Sequence, residues 1–170
     1  MIHVSSLSGL PALAASLERF DLLTLLSPSG EPRDWSGIAR GRHVQLSFHD
    51  IVELTPDLIA PDEIVMRAVL DFGRGAVEDR ALLIHCWAGI SRSSAAAYAI
   101  ACDRNPGYEA DIADELRRRS PFVTPNKLMV KLADDMLGRD GRMSEAIARI
   151  GRGAETAEGQ PYQLPLHWPI

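Results

Sequence analysis

Cysteine is scarce in this sequence, with two residues in a chain of 170. Two cysteines cannot build a framework of disulfide bonds, and residues 1–30 lack the basic start and unbroken apolar core of a signal peptide. No apolar run approaches the roughly 20 residues that a membrane span needs. These absences predict a cytoplasmic protein that does not insert into a membrane.

Positive charge is also in short supply, since 18 lysines and arginines face 23 acidic residues, a formal net charge of -5. This is the wrong sign for a protein that coats nucleic acid or an anionic membrane surface. With 46% hydrophobic and 24% charged residues, the composition is that of an ordinary globular protein. The length predicts a single domain, residues 1–170, with its own hydrophobic core.

Hydrophobic patterning predicts strands that alternate with helices. Short apolar runs predict strands at residues 2–4, 22–26, 43–48 and 81–84, the second closed by turn residues 27–30. Helical spacing and capping residues predict helices at residues 10–17, 61–72, 91–101, 109–119, 126–138 and 141–150.

This order of elements predicts a three-layer α/β fold with a helical C-terminal half. Its mostly parallel central sheet of about four or five strands is flanked by helices. The last twenty residues, 151–170, are rich in glycine, glutamine and proline, and this composition predicts an irregular tail.

The segment from His85 to Ser93 lies between a buried strand and the start of a helix. In open α/β sheets, ligands gather at the carboxyl ends of strands, and the first amides of the next helix bind anions. The five residues between Cys86 and Arg92 can wrap so that the amides of Trp87, Ala88, Gly89, Ile90 and Ser91 converge. The segment therefore predicts a cradle of the size of a phosphate.

Cys86 is the candidate nucleophile of this cradle. A free thiol is only about 3% thiolate at pH 7, and a helix N-terminus with converging amides and the Arg92 guanidinium favours the anion. Arg92 can also bind two phosphoryl oxygens at once. Ser93 can donate a hydrogen bond to the sulfur, and His85 can fix the shape of the loop through its ring.

A lone cysteine before a helix is more often a buried structural residue. Here histidine precedes the cysteine, and glycine, arginine and serine follow it three, six and seven positions later. That combination is rare by composition alone, so it favours a chemical role.

At these residues, HCWAGISRS, the sequence resembles the cysteine-based protein tyrosine phosphatase superfamily, whose signature is His-Cys, five residues, Arg, then Ser or Thr (the CX5R motif). The compact dual-specificity-like branch and its bacterial relatives are the most similar, because residues 120–126 resemble that branch's Pro-Asn segment. The resemblance covers roughly residues 22–137. It implies a phosphotyrosine protein phosphatase-like fold and a phosphocysteine intermediate, with no metal and no cofactor.

The family mechanism also implies a general acid, an aspartate a few tens of residues before Cys86. Asp50 is favoured, because a residue just past a strand end faces the same edge of the sheet as the cradle. Asp57 and Asp62 remain alternatives, although both flank Pro61 and suit a helix cap. The sequence lacks the Trp-Pro-Asp form of the acid loop that the larger tyrosine-specific enzymes carry.

The loop residues also bear on the substrate. Trp87, Ala88 and Ile90 are apolar, which disfavours a highly charged inositol head group. A phenol leaves more readily than an alkyl alcohol, and Trp87 can pack on its ring, unless it packs beneath the loop instead. We predict phosphotyrosine in a protein or peptide as the substrate, with phosphoserine and phosphothreonine left open.

Two other functions compete with this one. A sulfurtransferase or arsenate reductase needs a second thiol, and Cys102 lies about 15 Å beyond Arg92 along a helix. A phosphate-binding pseudophosphatase that acts as an interaction module is expected to lack Cys86 or Arg92, and both are present.

Overall fold

A computed structural model describes residues 1–28 and 33–169 of the chain. Each predicted helix and strand is present, with its bounds shifted by a few residues. The elements in chain order are β1 (Ile2–Ser5), α1 (Leu10–Ser16), β2 (Phe20–Leu26), β3 (His43–Ser47), α2 (Glu63–Arg74), β4 (Ala81–His85), α3 (Arg92–Arg104), α4 (Glu109–Arg119), α5 (Lys127–Leu137), α6 (Arg142–Ile150) and β5 (Tyr162–Leu164). Of the predicted turn at residues 27–30, Ser29 and Gly30 lie outside the described residues.

The five strands form one sheet in the order β3-β2-β4-β1-β5. The pairs β2·β3, β2·β4 and β1·β4 are parallel, and only the pair β1·β5 at the edge is antiparallel. The prediction of a mostly parallel sheet is confirmed. Because β4 lies in the middle of the sheet, its carboxyl end opens at the centre of one edge.

Helices cover both faces of the sheet, which confirms the three layers. On one face, α1 packs Leu10 and Ala14 against Phe20 and Leu22 of β2. The other helices share the main core on the opposite face, where alternate residues of β2, such as Leu23, point. No helix in the described ranges is long and apolar enough to span a bilayer.

The central helix of the larger layer is α3, whose residues 93–102 are all buried. Its run of alanines lets neighbouring helices approach closely. At Gly73 of α2, an added Cβ would lie 2.6 Å from a methyl carbon of Ile100, so only glycine fits this contact. The close packing fixes α3, and with it the segment that precedes the helix.

The prediction that residues 151–170 are irregular is wrong at Tyr162–Leu164, which form β5. This short strand pairs with the outer edge of β1, where Leu164 lies opposite Ile2 and Tyr162 opposite Val4. The pairing occupies backbone groups that β1 would otherwise expose, and it buries two apolar side chains.

Candidate active site

The segment from His85 to Ser93 joins the end of β4 to the start of α3, as the sequence predicts. Cys86 directly follows the strand and is only 2% exposed. A cleft of about 390 Å³ opens over it at the carboxyl edge of the sheet. The cleft is lined by Asp50, Cys86, Trp87, Ala88, Ile90, Ser91, Arg92, Thr156 and Ala157.

Backbone amides from three separate parts of the chain hold the carbonyl groups of this loop. The bonds, from donor to acceptor, are Leu7 to Trp87 (3.0 Å), Gly159 to Ala88 (2.8 Å), Thr124 to Ile90 (3.1 Å) and Asn126 to Ser91 (3.3 Å). In a trans peptide, the N–H group points away from the carbonyl that precedes it. The amides of Ala88, Gly89, Ser91 and Arg92 therefore point opposite to these held carbonyls, toward the inside of the loop.

The sulfur of Cys86 has two polar contacts inside the loop. Oγ of the buried Ser93 lies 3.1 Å from Sγ, and the amide of Gly89 donates to the sulfur at 3.3 Å. The N-terminus of α3 adds the positive end of a helix dipole. The sulfur therefore lies among polar groups at the N-terminal end of a helix.

Gly89 adopts a backbone conformation that the loop requires. Its φ is +72°, a region that residues with a side chain rarely adopt. An added Cβ would also lie 2.7 Å from the amide nitrogen of Ser6, in the connection between β1 and α1. The loop can approach this connection closely only with glycine here.

Arg92 is held rigidly at the start of α3. Its Nη1 donates to the backbone oxygen of Phe48 (2.8 Å) and to Oγ of Ser27 (3.1 Å). The side chain is buried, yet its Nε has no hydrogen-bond partner among residues 1–28 and 33–169. One part of the guanidinium is thus fixed by the protein, and Arg92 is among the residues that line the cleft.

Asp50 is the only one of the three candidate acids among the residues that line this cleft. Its Oδ1 accepts hydrogen bonds from Oγ of Ser91 (2.8 Å) and from Nδ2 of Asn126 (2.7 Å). Asp62 instead caps α2 by accepting from the amide of Val65 (2.8 Å). The helix-capping interpretation is therefore correct for Asp62.

The loop that carries Asp50 is closed by a pair of hydrogen bonds at its base. The amide of His49 donates to the backbone oxygen of Ile59 (2.7 Å), and the amide of Ile59 donates to Nδ1 of His49 (2.9 Å). Asp50 is the first residue inside this closure. His49 thereby helps to place Asp50, a role that its position in the sequence does not reveal.

His85 lies beneath the loop and is fully buried. Its Nε2 shares a hydrogen bond with Oγ1 of Thr24 on β2 (2.9 Å), and the same hydroxyl contacts Nε2 of His43 (3.0 Å). The ring thus ties the end of β4 to the neighbouring strand. Burial lowers the pKa of His85 from 6.5 to about 4, so the ring is neutral near pH 7.

Trp87 is 65% exposed at the rim of the cleft, so the interpretation that it packs beneath the loop is wrong. Sequence reasoning missed Asn126, Thr156 and Ala157 as residues of the site. Asn126 had a signal, because it belongs to the segment that resembles the Pro-Asn motif. No sequence signal marked Thr156 and Ala157, because they belong to residues 151–170, which the sequence predicts as an irregular tail.

The second cysteine lies apart from this cleft. Cys102 is fully buried in α3, and burial raises its thiol pKa far above the ordinary value. A buried, protonated thiol does not suit the second step of a redox or sulfur-transfer reaction. In the part of the chain that the structure describes, no group of three His, Cys, Asp or Glu side chains could hold a metal ion.

No protein-family model matches this chain, and no curated protein matches it. Solved structures do share its fold. The structure of DUSP15 has a TM-score of 0.56 at 15% identity, covering 88% of this chain and 89% of its own. The Yvh1 phosphatase domain from Chaetomium thermophilum has a TM-score of 0.59 at 17% identity, covering 84% and 93%.

A third similar structure is the human tyrosine phosphatase-like serine/threonine/tyrosine-interacting protein. Its TM-score is 0.54 at 18% identity, covering 80% of this chain and 87% of its own. At identities this low, the likeness concerns the fold alone. The chain therefore has the fold of the cysteine-based dual-specificity and tyrosine phosphatases, as its CX5R motif implied.

Proposed function

We propose that this protein is a metal-independent phosphatase that hydrolyses phosphotyrosine in proteins through a phosphocysteine intermediate. One observation supports this function above all: Cys86, Arg92 and Asp50 line the same cleft of about 390 Å³. A nucleophile, an anion-binding cation and a carboxyl group are the parts that phosphoryl transfer to sulfur needs.

In the first step, the Cys86 thiolate attacks phosphorus in line with the leaving oxygen. An S–P bond forms, and the P–O bond to the tyrosine breaks. Protonated Asp50 gives its proton to the departing phenolate oxygen. Because Ser91 and Asn126 both donate to Oδ1 of Asp50, its Oδ2 is the oxygen that carries the proton.

In the second step, water hydrolyses the phosphocysteine. Ionised Asp50 takes a proton from the water as its oxygen bonds to phosphorus, and the S–P bond breaks. Cys86 leaves as a thiolate, to which Ser93 donates a hydrogen bond from 3.1 Å. Inorganic phosphate is released, and Asp50 is again protonated for the next cycle.

The negative charge of the transferring group falls on its three equatorial oxygens. Arg92 lines the cleft and binds one or two of them through the part of its guanidinium that Phe48 and Ser27 do not hold. The inward amides of Ala88, Ser91 and Arg92 bind the others. These donors are fixed before substrate binds, so little reorganisation is needed during the reaction.

The rim of the cleft favours a tyrosine phosphate over a charged head group. Trp87 offers an exposed aromatic ring beside the cleft, where it can pack on the ring of a phosphotyrosine. Cys86 lies at the buried end of the cleft, within reach of a phosphate on a long side chain. A shorter phosphoserine would have to bring its backbone closer to the loop.

A phosphate-binding interaction module is the competing function, and one similar structure is itself described as phosphatase-like and interacting. A protein that only binds phosphate needs Arg92 and the loop amides. It does not need a cysteine sulfur with polar groups placed beside it. The contacts of Cys86 with Ser93 and Gly89 therefore favour catalysis.

Hydrolysis of p-nitrophenyl phosphate in the presence of EDTA tests the proposal. We expect Cys86→Ser to lower kcat by at least about 10⁴-fold, as loss of a catalytic nucleophile does in other enzymes. The matched control is Cys102→Ala, which removes the other thiol and should keep its activity. Full activity in Cys86→Ser, or loss of wild-type activity in EDTA, would contradict the proposed chemistry.

A further inference from the structure

A second pocket of about 620 Å³ opens directly beside the catalytic cleft. The two share Ile90, Thr156 and Ala157 in their walls, so a ligand can extend from one into the other. The pocket is lined by Ile90, Phe122, Thr124, Arg152, Gly153, Ala154, Glu155, Thr156 and Ala157.

One wall of this pocket is the C-terminal strap, residues 151–159, which follows α6. Three backbone amides of the strap fix it on the body of the protein. These bonds run from Ala154 to the Pro121 oxygen (2.9 Å), from Gly153 to Thr124 Oγ1 (3.1 Å) and from Gly159 to the Ala88 oxygen (2.8 Å). Because the strap is held at both ends, the pocket is a formed feature of the surface.

Apolar and polar side chains both line the pocket, and its two charged side chains carry opposite signs. Ile90 and Phe122 are both partly exposed, and Ala154 and Ala157 add further apolar surface. The charges of Arg152 and Glu155 lie 3.6 Å apart and offset each other. Neither sign of charge is therefore selected, whereas an apolar side chain can bury surface against Ile90 and Phe122.

We propose that this pocket is a substrate subsite that takes a large apolar side chain close in sequence to the phosphorylated residue. The assignment rests on the proposed function, because the catalytic cleft must hold the phosphorylated side chain. Consecutive Cα atoms lie about 3.8 Å apart, so a residue one or two positions away reaches a pocket that shares a wall with the cleft.

Phosphotyrosine peptides that differ at one position test this subsite. Leu, Gly, Asp or Arg is placed one or two residues before or after the phosphotyrosine, and kcat/KM is measured for each. At one of these positions, we expect Leu to be preferred over Gly and Asp by about 10-fold or more, the scale set by an apolar pocket. Equal rates for the four residues at every position, or a preference for a charged one, would overturn the subsite.

A variant then assigns the preference to this pocket. Ala154 is exposed on the strap, and Ala154→Trp fills the pocket with an indole ring. We expect the Leu-to-Gly ratio of kcat/KM to fall to near one in this variant. The ratio is taken within each protein, so a change in catalysis common to both peptides cancels.

The matched control is Ala110→Trp, at an exposed alanine of α4 outside both pockets, which should keep the wild-type ratio. A Leu preference that survives in Ala154→Trp would contradict the assignment. Failure of the proposed function is separate: it is seen when wild-type protein does not hydrolyse p-nitrophenyl phosphate at all.

Discussion

Asp50 differs from the other candidate acids in what its carboxylate contacts. Two donors hold one of its oxygens over the cleft, whereas Asp62 caps a helix and Asp57 lies outside the cleft lining. We expect Asp50→Ala to lower kcat by about 100-fold, the usual scale of a general acid. Its pH profile should also lose the fall in rate at high pH, because that fall reflects deprotonation of the acid.

The controls for Asp50 are Asp57→Ala and Asp62→Ala, assayed by the same pH profile. Both should keep the fall in rate at high pH. Asp62→Ala should also lower the free energy of unfolding by about 1 kcal/mol through loss of the cap. If one of these controls loses the high-pH fall while Asp50→Ala keeps it, Asp50 is not the acid.

The residues of the loop could be predicted because their chemistry and spacing are local. Cys86, Arg92 and Ser93 belong to one short motif, and a strand followed by a helix places them together. Asn126 could not be assigned, because its contact with Asp50 joins segments far apart in the chain. The catalytic roles of these residues stay predictions until they are assayed.

At the scale of elements, the loop depends on the close approach between Gly89 and the β1–α1 connection. Gly89→Ala forces a side chain into a positive φ and against the amide of Ser6. We expect it to lower kcat on the order of 100-fold, as small displacements of catalytic groups do, and to destabilise the fold. Activity assays and urea unfolding measure the two effects.

Gly107→Ala is the matched control for that substitution. Gly107 also has a positive φ, of +91°, but no atom lies within 4 Å of an added Cβ. It should lose about 1 kcal/mol of stability to backbone strain and keep its activity. Equal activity in the two variants would show that the loop does not need the contact at Ser6.

The helices and parallel strands could be predicted because their patterns repeat within each element. The strand β5 could not, since three residues show too little alternation to predict a strand. Its position is decided by the unpaired edge of β1, more than a hundred residues away in the chain. The strap that follows α6 was missed for the same reason, because the hydrogen bonds that hold it on the body of the protein join it to distant segments.

For the whole molecule, the net charge of -5 is a poor guide to the site. An acidic balance excludes a broad anion-binding surface. The proposed phosphate site needs only one buried arginine, a set of amides and a helix terminus. Its positive potential is therefore local, and the overall composition neither predicts nor opposes it.

His85 couples the stability of the whole fold to pH. Burial lowers its pKa from 6.5 to about 4. Between pH 4 and pH 6.5, the ring is therefore protonated in the unfolded chain and neutral in the folded protein. The contribution of the neutral His85 ring to the free energy of unfolding is fully present above pH 6.5 and is lost as the pH falls toward 4. This loss amounts to about 3 kcal/mol.

Urea unfolding at pH 7 and pH 4 measures this effect in wild type and in His85→Gln. The glutamine can keep a hydrogen bond to Thr24, but it does not titrate. We expect the fall in unfolding free energy between the two pH values to be smaller in His85→Gln by about 3 kcal/mol. The same pH dependence in both proteins would show that burial does not keep the ring neutral.

The most direct test of the central claim is detection of the covalent intermediate. Asp50→Ala is mixed with p-nitrophenyl phosphate, quenched in acid, digested and examined by mass spectrometry. We predict a phosphoryl group on the peptide that carries Cys86. The double variant, with both Asp50→Ala and Cys86→Ser, should carry none. A phosphoryl group on another residue, or turnover with none bound to Cys86, would contradict the account.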